Sequence, residues 1–124
     1  MSQVPDRAPE QPTAFSIVTD ETSDGVRLSL SGDLDLASAP EFERAALRAQ
    51  RARPARLVLD LTRLSFLDSS GLRALLAVNR ACAHGAPALS VVAGEQARRM
   101  FELTGVTDSL PLADPPSAGD GGVR

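Results

Sequence analysis

The stretch RLVLDLTRLSFLDSSGLRALL, residues 56–76, decides the fold. Its first part, RLVLDL, sets Leu57, Leu59 and Leu61 on one side of an extended chain and Val58 on the other, the two-residue period of a strand. Thr62–Ser65 reads as a turn. From Ser70 to Ala83 the period becomes helical, with Leu72, Leu75, Leu76 and Val78 on one broad apolar face and His84-Gly85 as the stop. A strand that feeds straight into a helix cannot close as a hairpin. It opens a crossover between parallel strands, which is right-handed by rule.

The junction itself, FLDSSGLR, carries the chemistry. Asp68 and Ser69 are the natural N-cap candidates, and Gly71 lets another group approach the first turn closely. Ser70 then sits in that turn with its hydroxyl beside unpaired N–H groups. Such a terminus favours negative charge, so a phosphate built on Ser70 is stabilised where it forms. Plain capping explains the same residues without any function and is the simpler reading of them alone.

Outward from this stretch the pattern continues. FSIVTD (15–20) and GVRLSLSG (25–32) alternate as half-buried strands, joined across Asp24-Gly25 as a hairpin. After GDLDL, Ser38 and Glu41 form a capping box, Pro40 lies in the first turn, and Glu41 and Glu43 suit the positive end of a helix. Its inner face is Phe42, Ala45, Ala46 and Ala49, and Pro54 ends it. ALSVVAG (88–94) is a further strand. EQARRMFELTG is a helix with Ala97, Met100 and Phe101 inward and Gly105 after its end, and LPLAD supplies a short strand near 110–112. The order β-β-α-β-α-β-α-β predicts a single α/β domain with helices packed on a mixed sheet.

The 124 residues carry 43% hydrophobic and 23% charged side chains, ordinary for one globular domain. The tails, 1–13 and 114–124, hold proline, glycine and charge with little to bury, so both are expected to be disordered, leaving 14–113 as the folded unit. No apolar run is long enough for a membrane helix. The opening MSQVPDRAPEQP has no secretory leader pattern, and the lone Cys82 fits a reducing compartment. A cytoplasmic location is expected. A net charge of −3 and only 3% aromatic content, all of it Phe, argue against a nucleic-acid partner.

Residues 56–76 closely resemble the signature of the STAS domain, specifically that of small bacterial anti-sigma factor antagonists. GDLDLASAPEFERAAL, ALSVVAG and ARRMFELTGVTDSLPL fit as well, so the resemblance spans about 14–112. It implies a partner switch. The second serine of the motif, here Ser70, would be phosphorylated by an anti-sigma factor that is also an ATP- and Mg-dependent serine kinase. The unphosphorylated protein would bind that anti-sigma factor and free its sigma factor for transcription, and a separate serine phosphatase would reset the switch. Asp33 and Asp35 would lie beside the phosphoacceptor, with Asp68, Ser69, Gly71 and Leu72 shaping the site. No cofactor, metal or catalytic residue of its own is implied. Family members usually add an amphipathic helix after the last strand, where this chain continues into PPSAGDGG.

Other readings are weaker. A hydrolase elbow needs Gly-x-Ser-x-Gly, which Ser70 lacks. Its base would have to be His84, about 21 Å along the same helix at about 1.5 Å per residue. His84 reads instead as a helix-end residue, Cys82 as a small buried hydrophobe, and Arg98 and Arg99 as solvated charge. Asp33-x-Asp35 is too common a spacing to mark a metal site. The alternative of a different class is a non-catalytic STAS subunit of a lipid-transport ATPase complex or a stress-signalling assembly; a serine at position 70 favours the antagonist.

Overall fold

A computed structural model describes residues 14–83 and 87–113. Strands β1 (Ser16–Glu21) and β2 (Gly25–Leu34) are followed by helix α1 (Ala39–Arg51), strand β3 (Arg56–Leu67) and helix α2 (Ser69–Cys82). Strand β4 (Ala88–Ala93), helix α3 (Glu95–Thr104), a single 3-10 turn (Thr107–Ser109) and strand β5 (Leu112–Ala113) complete the order. The predicted α/β succession is the observed one.

Among the described residues the sheet has five strands in the order β1-β2-β3-β4-β5, with β1 antiparallel to β2 and every other pair parallel. The β1–β2 hairpin turns on Thr22 and Gly25, which exchange backbone hydrogen bonds at 2.8 and 3.3 Å. Along β2 burial alternates without a break, and Val26, Leu28, Leu30 and Leu34 all face inward. They share one core with Leu57, Leu59 and Leu61 of β3, Phe42 of α1, Leu75 of α2, and Ala97 and Phe101 of α3. The helices therefore cover one face of the sheet, and each leucine taken fully out of water contributes about 1.5–3 kcal/mol. The opposite face is more polar; there Arg27 Nη2 donates to Asp60 Oδ2 at 2.8 Å.

Two local expectations are corrected. Thr62–Ser65 is no turn, because β3 continues to Leu67. Pairing with β2 runs Ser29 to Asp60, Ser31 to Arg63, Gly32 to Leu64 and Asp33 to Phe66, so β3 carries one extra residue at each of two points. These bulges re-aim the strand, and the buried side chains become Leu61, Leu64 and Leu67, three apart. Nor is there a capping box at α1. Ser38 has helical dihedrals and makes no cap hydrogen bond with its side chain.

Helix α2 begins at Ser69, one residue earlier than predicted, and α3 ends at Gly105 with φ of 75°, where glycine avoids the Cβ clash. Cys82 is buried as predicted, with its sulfur accepting a hydrogen bond from Gln50 Nε2 at 3.3 Å. Burial pushes its thiol up from the ordinary cysteine value, and the Gln50 hydrogen bond only partly offsets this. Arg98 and Arg99 are exposed. His84, Gly85 and both tails, including the region where a terminal helix would fall, lie outside the described residues.

Candidate functional site

The C-terminal ends of β2 and β3 meet at one pole of the sheet, where open α/β folds place their sites. Here the two chain segments are joined directly. Asp68 N–H donates to the Leu34 carbonyl oxygen at 3.2 Å. A Cβ on Gly71 would collide with that same oxygen and stand 2.8 Å from Leu67 Cδ1. The close approach that Gly71 permits is thus made by the end of β2, with no ligand needed to explain the glycine.

Asp68 alone caps α2. Its Oδ1 accepts from Gly71 N at 2.9 Å, and its carbonyl accepts from Leu72 N at 2.9 Å. This changes the comparison of the two serines. Ser69, the other N-cap candidate, makes no cap and is exposed, whereas Ser70 is half-buried. Ser70 lines a shallow cavity of about 190 Å³ with Leu36, Pro40, Glu43 and Arg73. Leu72 is buried and shapes the site from the core side.

Across the cavity the loop after β2 is tightly braced. Asp35 Oδ1 accepts from Ala37 N at 3.1 Å and Ser38 N at 3.2 Å. Ser38 Oγ accepts from Asp35 N at 2.9 Å and donates to the Asp33 carbonyl at 2.7 Å. Ser38 Oγ is thus held in the loop and not on the first turn of α1, and the Asp35 carboxylate braces the two amides just before the helix. Between these anchors Leu36 is 74% exposed. Asp33 lies opposite Phe66 in the register, and its Oδ1 is buried with no hydrogen-bond partner. Phe66 is itself 47% exposed.

Asp33, Asp35, Asp68, Ser69, Ser70 and Gly71 therefore gather at one pole. Sequence reasoning missed Leu36, Phe66, Glu43 and Arg73. Arg73 was available from its spacing three residues beyond Ser70. Leu36 continues the even-numbered apolar run of β2, and only the end of the strand at Leu34 turns it outward. Among the described residues no group of three or more His, Cys, Asp or Glu could hold a metal ion, and no helix is long and apolar enough to cross a membrane.

This fold has known counterparts. The family model described as "Mlab, STAS domain" matches residues 17–113. The chain belongs to the STAS-domain family. Among STAS relatives, the anti-sigma-F factor antagonist RsfB of Mycobacterium tuberculosis is 28% identical over 101 residues, 82% of this chain and 83% of its own. The crystal structure of an anti-sigma factor antagonist from Mycobacterium paratuberculosis superposes with a TM-score of 0.72 at 30% identity, over 88% of this chain and 92% of that one. The Bacillus cell fate determinant SpoIIAA in its phosphorylated form gives a TM-score of 0.61 at 25% identity, over 90% of this STAS chain and all of the other.

Proposed function

We propose that this STAS protein is an anti-sigma factor antagonist, that its unmodified form binds an anti-sigma factor, and that phosphate on Ser70 abolishes the binding. The observation that carries the reading is the position of Ser70. It lies in the first turn of a helix pinned to the sheet, in a cavity rimmed by the exposed Leu36. The likeness to antagonists over most of the chain supports the same reading.

The partner supplies the chemistry. The Ser70 hydroxyl attacks the γ-phosphorus of ATP held with Mg by the anti-sigma factor kinase. The bond from that phosphorus to the bridging oxygen breaks, ADP leaves, and the hydroxyl proton passes to a base on the kinase. A separate serine phosphatase reverses the modification with water, releasing inorganic phosphate. The antagonist contributes no catalytic group, only a positioned acceptor.

The modification adds about −1.5 to −2 charge to a pole that already carries Asp33, Asp35 and Asp68. On docking that charge must lose water and face whatever carboxylates the partner presents. A penalty of about 4 kcal/mol weakens binding roughly a thousandfold. Incubation with the cognate anti-sigma factor and Mg-ATP, followed by mass spectrometric site mapping, tests the assignment. Phosphate on Ser70 is expected. Phosphate on Ser69 instead, or copurification with a transporter ATPase and no phosphorylation, would overturn it.

A further inference from the structure

We propose that Arg73 is the internal counter-ion of a phosphate on Ser70, an inference that rests on reading Ser70 as the switch residue. Ser70 and Arg73 stand three residues apart on α2, the spacing at which helical side chains are neighbours. Both line the same shallow cavity. Arg73 is exposed, and the ion pair recorded among the described residues, Arg27 with Asp60, does not involve it. Glu43, on α1, lines the same cavity, and among the described residues it forms no ion pair with Arg73.

A guanidinium is always charged and binds phosphate oxygens through two parallel N–H donors. The alternatives around it are anionic: Glu43 on α1, Asp68 at the start of α2, Asp35 in the loop and Asp33 on β2. These carboxylates repel a phosphate, and Arg73 is the cation placed to offset them. Phosphorylation then changes the docking surface twice. It adds an anion at Ser70, and it folds the Arg73 side chain over that anion, withdrawing a cation from the partner. The cavity, closed on one side by Pro40 and Glu43, has room for the pair to form beside the helix.

A phosphoserine loses its second proton near pH 6. A neighbouring cation favours the dianion and lowers that value, and neighbouring carboxylates raise it. Phosphoserine can be placed at position 70 by genetic encoding in the full chain, so the experiment does not depend on any kinase. Phosphorus NMR titration at low ionic strength is the measurement, with thermal melting to confirm folding. Arg73→Ala should raise the phosphate pKa by about 0.5 unit or more, and Glu43→Gln should lower it. Arg44→Ala, an exposed arginine of α1 outside the cavity, should leave it unchanged. The Arg73 side-chain Nε signal should also shift when the phosphate is present. If Arg73→Ala titrates like the parent, or Arg44→Ala shifts the phosphate equally, the counter-ion assignment is wrong. Failure of a kinase to modify Ser70 would instead overturn the switch reading and leave this result standing.

Discussion

The backbone of Asp68 is bound to the backbone of Leu34: the Asp68 amide donates to the Leu34 carbonyl at 3.2 Å, tying the cap of α2 to the last residue of β2. Because the next residue, Asp35, braces the Leu36 loop, both halves of the site are referenced to one point of the sheet. A phosphate on Ser70 would therefore be added to a fixed surface, and the proposed switch would act through charge on that surface, without unfolding of the domain.

Gly71→Ala should test this anchoring. Alanine is the better helix former by about 1 kcal/mol, so on an isolated helix the substitution would stabilise. Here the new Cβ meets the Leu34 carbonyl and the side chains of Leu34 and Leu67, and overpacking of this kind costs about 1–3 kcal/mol. Urea denaturation should show a net loss. A gain in stability would mean that α2 is free to move away from β2.

Asp35→Ala removes the acceptor for two backbone N–H groups at the entry to α1. Loss of such an acceptor costs typically about 1 kcal/mol, so the carboxylate is a structural element of the loop as well as a neighbour of the candidate site. Thermal denaturation should show the lower stability, and amide exchange should show faster exchange confined to Leu36–Ala39. An unchanged melting temperature would refute the capping role.

Leu36→Asp should separate binding from stability. The side chain is almost wholly in solvent, so the melting curve should change little. A residue of this kind that anchors a partner costs more than about 1 kcal/mol when removed, and affinity for the anti-sigma factor should fall about tenfold or more. Equal affinity would place the docking surface elsewhere.

Asp60 predicts a pH dependence. Burial works to raise its carboxyl pKa, but the Thr62 hydroxyl and amide and the Arg27 guanidinium outweigh it, and the group titrates below the ordinary carboxylate range. A depressed folded-state pKa means that the unfolded chain binds the proton more readily. The contribution is complete above the unfolded carboxylate value of about 4 and is lost as pH falls through the lower folded value. Asp60→Asn should therefore be less stable than the parent near neutrality, by about 1 kcal/mol or less for a pair partly in water. The gap should close in acid. A gap independent of pH would show that the ionised carboxylate, with its Thr62 and Arg27 partners, gains nothing on folding.

Much of this was legible in the chain because its local signals agree. The unbroken alternation of Val26, Leu28 and Leu30, the Pro40 start of α1 and the Gly105 stop of α3 each speak for one element. Asp68-Ser69-Ser70-Gly71 marks the candidate site. What escaped the sequence depends on contacts between segments. The bulges of β3 arise from pairing with β2, and a two-residue period cannot reveal a strand whose inward leucines fall at 61, 64 and 67. The Ser38-x-x-Glu41 pattern resembles a capping box, yet the Asp35 carboxylate takes the Ser38 amide that Glu41 would accept from, and Ser38 Oγ is engaged with Asp35 N and the Asp33 carbonyl. Ser69 was misjudged for the same reason, since only the position of Asp68 against Leu34 fixes which residue caps α2.

The central claim is that phosphate on Ser70 controls docking by charge on an otherwise unchanged domain. Calorimetric titration of the anti-sigma factor against two proteins, unmodified and with phosphoserine encoded at position 70, tests it most directly. Matching circular dichroism spectra are expected for the two, with an affinity about a thousandfold weaker for the phosphorylated form, equivalent to about 4 kcal/mol. Equal affinities, or a loss of binding that accompanies loss of the folded spectrum, would contradict it.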